Sequence, residues 1–144
     1  MSGNVNSFIF ARGIARYHIL KKNRRNITVG GNKYVWWYRI DAGLCVITVS
    51  PFEDKTSKIH IEFKDTKCDC DYGYCFTFPL YVELEKDGEQ SRLKLIEPGM
   101  AALLITSLFQ RELFQTRKEI TLHGYEQLAD MGYSIIRIEN GADF

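Results

Sequence analysis

Proline is scarce in this chain: 144 residues hold three, at Pro51, Pro79 and Pro98. That scarcity excludes a polyproline linker and a Pro-rich disordered tract. Carboxylates are missing from the first 40 residues, and Asp41 is the first acid. Long apolar runs are missing as well. The run Ala101–Ile105 falls far short of the ~20 residues that a membrane-spanning helix needs. The opening MSGNVNSFIF lacks the basic start and apolar stretch of a secretion signal, so a cytoplasmic location and no membrane partner are expected. No repeat or linker composition breaks the chain, which reads as a single α+β domain over residues 1–144.

Motifs of common enzyme classes are also absent. There is no H-E-x-x-H, no G-x-S-x-G, no Walker loop and no dinucleotide fingerprint. His18, His60 and His123 lie far apart in sequence, so any catalytic constellation would have to be assembled by the fold. Cys75 with His60 is the one thiol–imidazole pair worth considering. The expectation is a non-catalytic protein without a cofactor.

What is present is dominated by Tyr34–Ser50, YVWWYRIDAGLCVITVS. Two runs of aromatic and β-branched residues flank a short loop with glycine, the signature of a β-hairpin. Tyr34, Trp36, Tyr38 and Ile40 share one face, and Val35, Trp37 and Arg39 the other. Both faces carry bulk, so the ribbon is expected to be central and covered on both sides. Trp36 is assigned to the core, while Trp37 is the candidate protein-binding residue. Upstream, Gly30-Gly31 predicts a turn. Downstream, Lys58–Lys64 alternates cleanly, with Ile59, Ile61 and Phe63 inward and His60 outward. Tyr74–Glu85 alternates again, and Pro79 within it marks an edge or a bulge. Asp87-Gly88 predicts a second hairpin turn into Arg92–Ile96.

At Pro98 the period changes. Ala101, Leu104, Ile105, Leu108 and Phe109 recur at three- and four-residue steps, which predicts a helix over residues 100–116 with Phe109 buried. Thr121 is read as the cap of a second helix that carries Leu122, Tyr125, Leu128 and Ala129 inward and ends at Gly132. Tyr133–Glu139 reads as a last strand. The predicted fold is α+β: a mostly antiparallel sheet of five to seven strands, followed by two C-terminal helices packed on one face.

The pattern I-T-V-G-G-x-K-Y-x-W at Ile27–Trp36, with hairpin strands and a Pro-initiated helix after it, resembles small bacterial proteins of no established function. The resemblance implies no site residue.

Three functional readings compete. The first is association with a protein or with a second copy of the chain, invited by the aromatic content and the long strands. The second is nucleic-acid binding. Residues 1–40 carry eight of the 19 basic residues, and Arg12, Arg16, Lys21, Lys22, Arg24 and Arg25 can neutralise phosphates while Tyr17, Trp36 and Trp37 stack on bases. The third is a zinc or thiol site at Cys68, Cys70 and Cys75, with Cys45 or His60 as a fourth ligand. Its C-x-C-x4-C spacing departs from the usual zinc spacings, and with no export signal the thiols are expected reduced.

Overall fold

The computed structural model describes residues 24–41, 43–64 and 77–142. In chain order the elements are β1 (Arg25–Val29), β2 (Asn32–Asp41), β3 (Leu44–Pro51), β4 (Lys58–Lys64), β5 (Thr77–Lys86), β6 (Glu89–Lys94), α1 (Pro98–Gln110), β7 (Glu119–His123), α2 (Gly124–Asp130) and β8 (Ser134–Ala142). Most of the described chain is strand, its pairings are mainly antiparallel, and two helices complete it.

Eight described strands form two sheets where five to seven strands in one were expected. The larger runs β1-β2-β3-β4-β7 and the smaller β6-β5-β8. Alternating hydrophobicity reports that a strand has a buried face but not which strand it pairs with. Hence β4 and β5, neighbours in sequence, belong to different sheets. The helices are not terminal either, because β7 lies between them and β8 follows.

Local chemistry explains the hairpins. Gly30 and Gly31 have φ of 59° and 83°, the pair of positive values that a two-residue primed turn requires between β1 and β2. Asp87 and Gly88, at 54° and 82°, repeat that turn between β5 and β6. Tyr34↔Pro51 through Asp41↔Leu44 fixes the register of β2 on β3. Pro79 sits on the central strand of the small sheet, at a register shift between Pro79 and Tyr81, so the bulge reading holds over the edge reading.

One hydrophobic cluster joins all these elements. The large sheet contributes Tyr34, Trp36, Ile47, Val49, Ile61 and Phe63, the small sheet Val82 and Leu84, and the helices Leu104, Ile105, Leu108 and Leu128. β3 is buried along most of its length, as a central strand should be. Cys45 lies in this cluster, where burial pushes its thiol up to about 12.

The helical predictions need three corrections. First, α1 ends at Gln110, short of residue 116. Glu112 adopts a left-handed φ of 54°, its N–H donates to Phe109 O at 3.0 Å, and Leu113 N–H donates to Leu108 O at 3.1 Å. That double bond closes a Schellman cap. Phe109 in the last turn is 55% exposed, so the core burial expected of it is absent. Second, Thr121 and Leu122 belong to strand β7, which pairs parallel with β4. Five residues are too few for periodicity to separate strand from helix. Third, within α2 Leu128 is buried as expected, but Gln127 is buried where Ala129 was expected. α2 opens at Gly124 because a Cβ there would come 2.3 Å from the ring of Phe63. Gly132 ends it with a second Schellman cap, Gly132 N–H to Ala129 O and Tyr133 N–H to Leu128 O.

Candidate functional site

The face of the large sheet turned away from the core carries the polar chemistry. Register places Trp37, Thr48, His60 and Thr121 in one row across β2, β3, β4 and β7. Three of the strands are tied by side chains. Thr48 Oγ1 lies 2.8 Å from His60 Nδ1, and His60 Nε2 lies 2.7 Å from Glu119 Oε1. A carboxylate only accepts, so Nε2 carries a proton and donates to it. In the neutral ring Nδ1 then accepts from the Thr48 hydroxyl. Glu119 is held below the usual carboxylate range, first by this hydrogen bond and then by the charge of His60, with desolvation opposing. The array has the order hydroxyl, imidazole, carboxylate found in nucleophilic sites. Thr48 is only 4% exposed, however, so the hydroxyl is buried and the array serves to pin β7 to β3 and β4.

Beside this row lies a pocket of about 250 Å³. Arg24, Lys55 and Lys58 enter it from three separate segments, and Trp37 and Phe52 supply its aromatic walls. The Arg24 guanidinium stands 4.1 Å from the centre of a Trp37 ring. Lys33 and Lys55 hold their ammonium groups 4.8 and 5.4 Å from the centre of Phe52. Ser50, buried on this face, donates to the Asp54 carbonyl at 3.3 Å. Among the described residues no carboxylate lines the pocket. The nearest turn acid, Asp54, accepts from Thr56 N–H at 3.2 Å and from the Thr56 hydroxyl.

A second concave area lies past the end of α1. Phe109 and Phe114 border two adjoining hollows of about 550 and 250 Å³. Tyr34 and Pro51 continue the apolar floor, with Lys33, Glu53 and Glu112 on the rims. Phe114 packs on Tyr34 with ring centres 5.3 Å apart.

The small sheet is different. Its outward face carries an ion-pair ladder. Arg92 grips Glu139 with two bonds of 2.9 and 3.0 Å, and Arg137 bonds Glu83 at 2.6 Å and Glu139 at 3.3 Å. The Arg92 hydrogen bonds are the chief reason that Glu139 is pulled down to about 2.

The structure separates several residues that the sequence had grouped. Arg24 and Arg25 diverge: Arg24 stacks on Trp37, while Arg25 faces Trp36, 5.7 Å away. Arg12, Arg16, Lys21 and Lys22 lie outside the described residues, as do Cys68, Cys70 and Cys75. Cys45 and His60 project from opposite faces of the sheet, so they cannot serve one metal together. Among the described residues no cluster of His, Cys, Asp or Glu is arranged to hold a metal. Trp36 is in the core as expected, and Trp37 is 6% exposed under Arg24, which leaves little of its ring for a protein partner. Lys55, Lys58 and Phe52 escaped notice, since Phe52–Ser57 reads only as a charged turn. Nothing local connects that turn with Arg24; the pairing of β1, β2 and β3 does. Among the described residues no helix is long and apolar enough to cross a membrane.

No family model, curated protein or solved structure matches this chain.

Proposed function

We propose that this chain is one non-catalytic domain that acts by macromolecular association, and that its partner at the α1 end is a second copy of itself. The supporting observation is Phe109, a large apolar ring left 55% exposed at the border of two hollows. A protruding ring next to a hollow on the same surface is self-complementary under a two-fold axis: each copy offers the knob and the hole. The rim fits the same operation, because Lys33 stands with Glu53 and Glu112 and charges of both signs can cross-pair. Full burial of such a ring contributes roughly 1.5–3 kcal/mol, and Phe109, 55% exposed, has about half of that left to gain per copy. That both sheets and both helices share one core cluster supports reading the chain as a single unit.

Sedimentation velocity across a concentration series tests the reading. The wild-type chain is expected to move as a dimer, and Phe109→Lys as a monomer with an unchanged circular dichroism spectrum. A wild-type chain that stays monomeric at its highest soluble concentration overturns it.

A further inference from the structure

We propose that the pocket between Arg24 and the Phe52–Lys58 turn binds one nucleotide unit, a phosphate joined through a sugar to a planar base. This site lies on the sheet face opposite the core and does not depend on dimer formation.

The argument begins with charge. Three cations line one small pocket, and none of them forms an ion pair among the described residues. Like charges held together repel, and a cleft lined by one sign concentrates anions. In the β4–β7 register Glu119 lies beside Lys58, whose charge helps to hold its carboxylate below the usual range. Glu119 is already bonded to His60, so it does not neutralise Arg24 or Lys55.

The walls define the rest of the ligand. A bare anion site has no use for aromatic rings, yet Trp37 and Phe52 flank the cations. Phe52 is 38% exposed, and its ring is currently covered by lysine ammonium groups. A phosphate would draw Lys55 off the ring and leave a face on which a base can stack. Base–aromatic stacking is worth about 1–3 kcal/mol, and a cationic groove with aromatic platforms is how single-stranded nucleic acid is held. Asn26 at the rim offers an amide that can both donate and accept toward a base edge. The volume, about 250 Å³, lies just below the roughly 300–1,000 Å³ of most ligand pockets, so it would enclose the phosphate and leave the rest of a nucleotide on the open side. The same unit occurs in a free nucleotide and in a strand.

Intrinsic fluorescence provides the readout, because Arg24 lies over Trp37 and the chain has only two tryptophans. The wild-type chain is titrated at low salt with inorganic phosphate, AMP and an eight-residue thymidine oligonucleotide. AMP is expected to bind more tightly than phosphate and to weaken as salt rises. The double variant Arg24→Ala/Lys55→Ala, with its fold checked by circular dichroism, is expected to lose at least about tenfold in affinity for AMP, or 1.4 kcal/mol. An oligonucleotide that binds more tightly than AMP assigns the phosphate to a strand; equal affinity assigns it to a free nucleotide. The proposal is overturned if neither AMP nor the oligonucleotide binds at low salt, or if the double variant binds as well as the wild type.

Discussion

On the outward face of the small sheet, Arg92 and Arg137 are bonded to Glu139 and Glu83. On the outward face of the large sheet, Arg24, Lys55 and Lys58 line a pocket to which no described residue brings a carboxylate. Both faces are sheet surfaces bearing long cationic side chains, and only the company differs. On the small sheet, cross-strand register sets Glu83 opposite both Arg92 and Arg137, so Arg137 finds its acid on the neighbouring strand while Arg92 reaches across β5 to Glu139 on β8. On the large sheet the cations arrive from the residue before β1, from a turn and from the start of β4, while Glu119 is committed to His60. The ladder completes itself; the pocket's cations have no such partner among the described residues. Surface arginines as such therefore say little about ligands, whereas cations without partners around aromatic rings say much more.

The contrast can be broken from the side of the large sheet. His60 is a paired group on that face, as is Arg39 with Asp41 at 3.2 Å, and His60→Ala removes bonds to both Thr48 and Glu119. A buried hydroxyl left without its partner costs about 1–3 kcal/mol, so urea unfolding should show a loss in that range. The same substitution should relieve most of the depression of Glu119, leaving the pull of Lys58. A carboxyl with a lowered folded pKa stabilises above its unfolded value, about 4.3, and loses that contribution as pH falls through its folded value. The variant's stability should therefore depend less on pH on the acid side than the wild type's.

The ladder offers a smaller effect with its own pH window. Glu139, at about 2 when folded, stabilises at neutral pH and loses this contribution as pH drops from about 4.3 toward 2. Thermal melts of Glu139→Gln should lie below the wild type at pH 7, with the gap closing across that window. A gap that persists at pH 2 would show that the ladder acts through packing instead of charge. Smallest of all is Lys55→Ala. An exposed cation that stands 5.4 Å from the centre of a ring contributes little, so its removal should shift stability by no more than about 0.5 kcal/mol in denaturant titrations. A clear loss would mean that Lys55 is structural, and the contrast between the faces would fade.

Much of the architecture could be read directly. The hairpin at Tyr34–Ser50, the strand Lys58–Lys64, the turns at Gly30-Gly31 and Asp87-Gly88, and the helix beginning at Pro98 all appear where the residues place them. Each depends on chemistry within a few residues: alternation, positive φ at glycine, or proline at a first helical turn. Strand β7 was missed because EITLH is too short for its period to show, and because a parallel neighbour of β4 comes from 61 residues downstream. Of the candidate site, the sequence offered Arg24 and an aromatic at Trp37, but it placed them among partners that the fold does not join to them. Thr48, His60 and Glu119 carried no motif, since their proximity depends on two registers at once.

By itself the order of residues determined which side chains leave water and where the backbone turns, because burial by alternation and turn stereochemistry are short-range effects. Only the tertiary structure decided which strand lies beside which, that the alternating segments divide into two sheets, and that three cations from distant segments meet over Trp37 and Phe52. The reason is physical. Strand pairing and the field inside a cleft are set by groups close in space, and the chain brings those groups together without any local pattern that announces it.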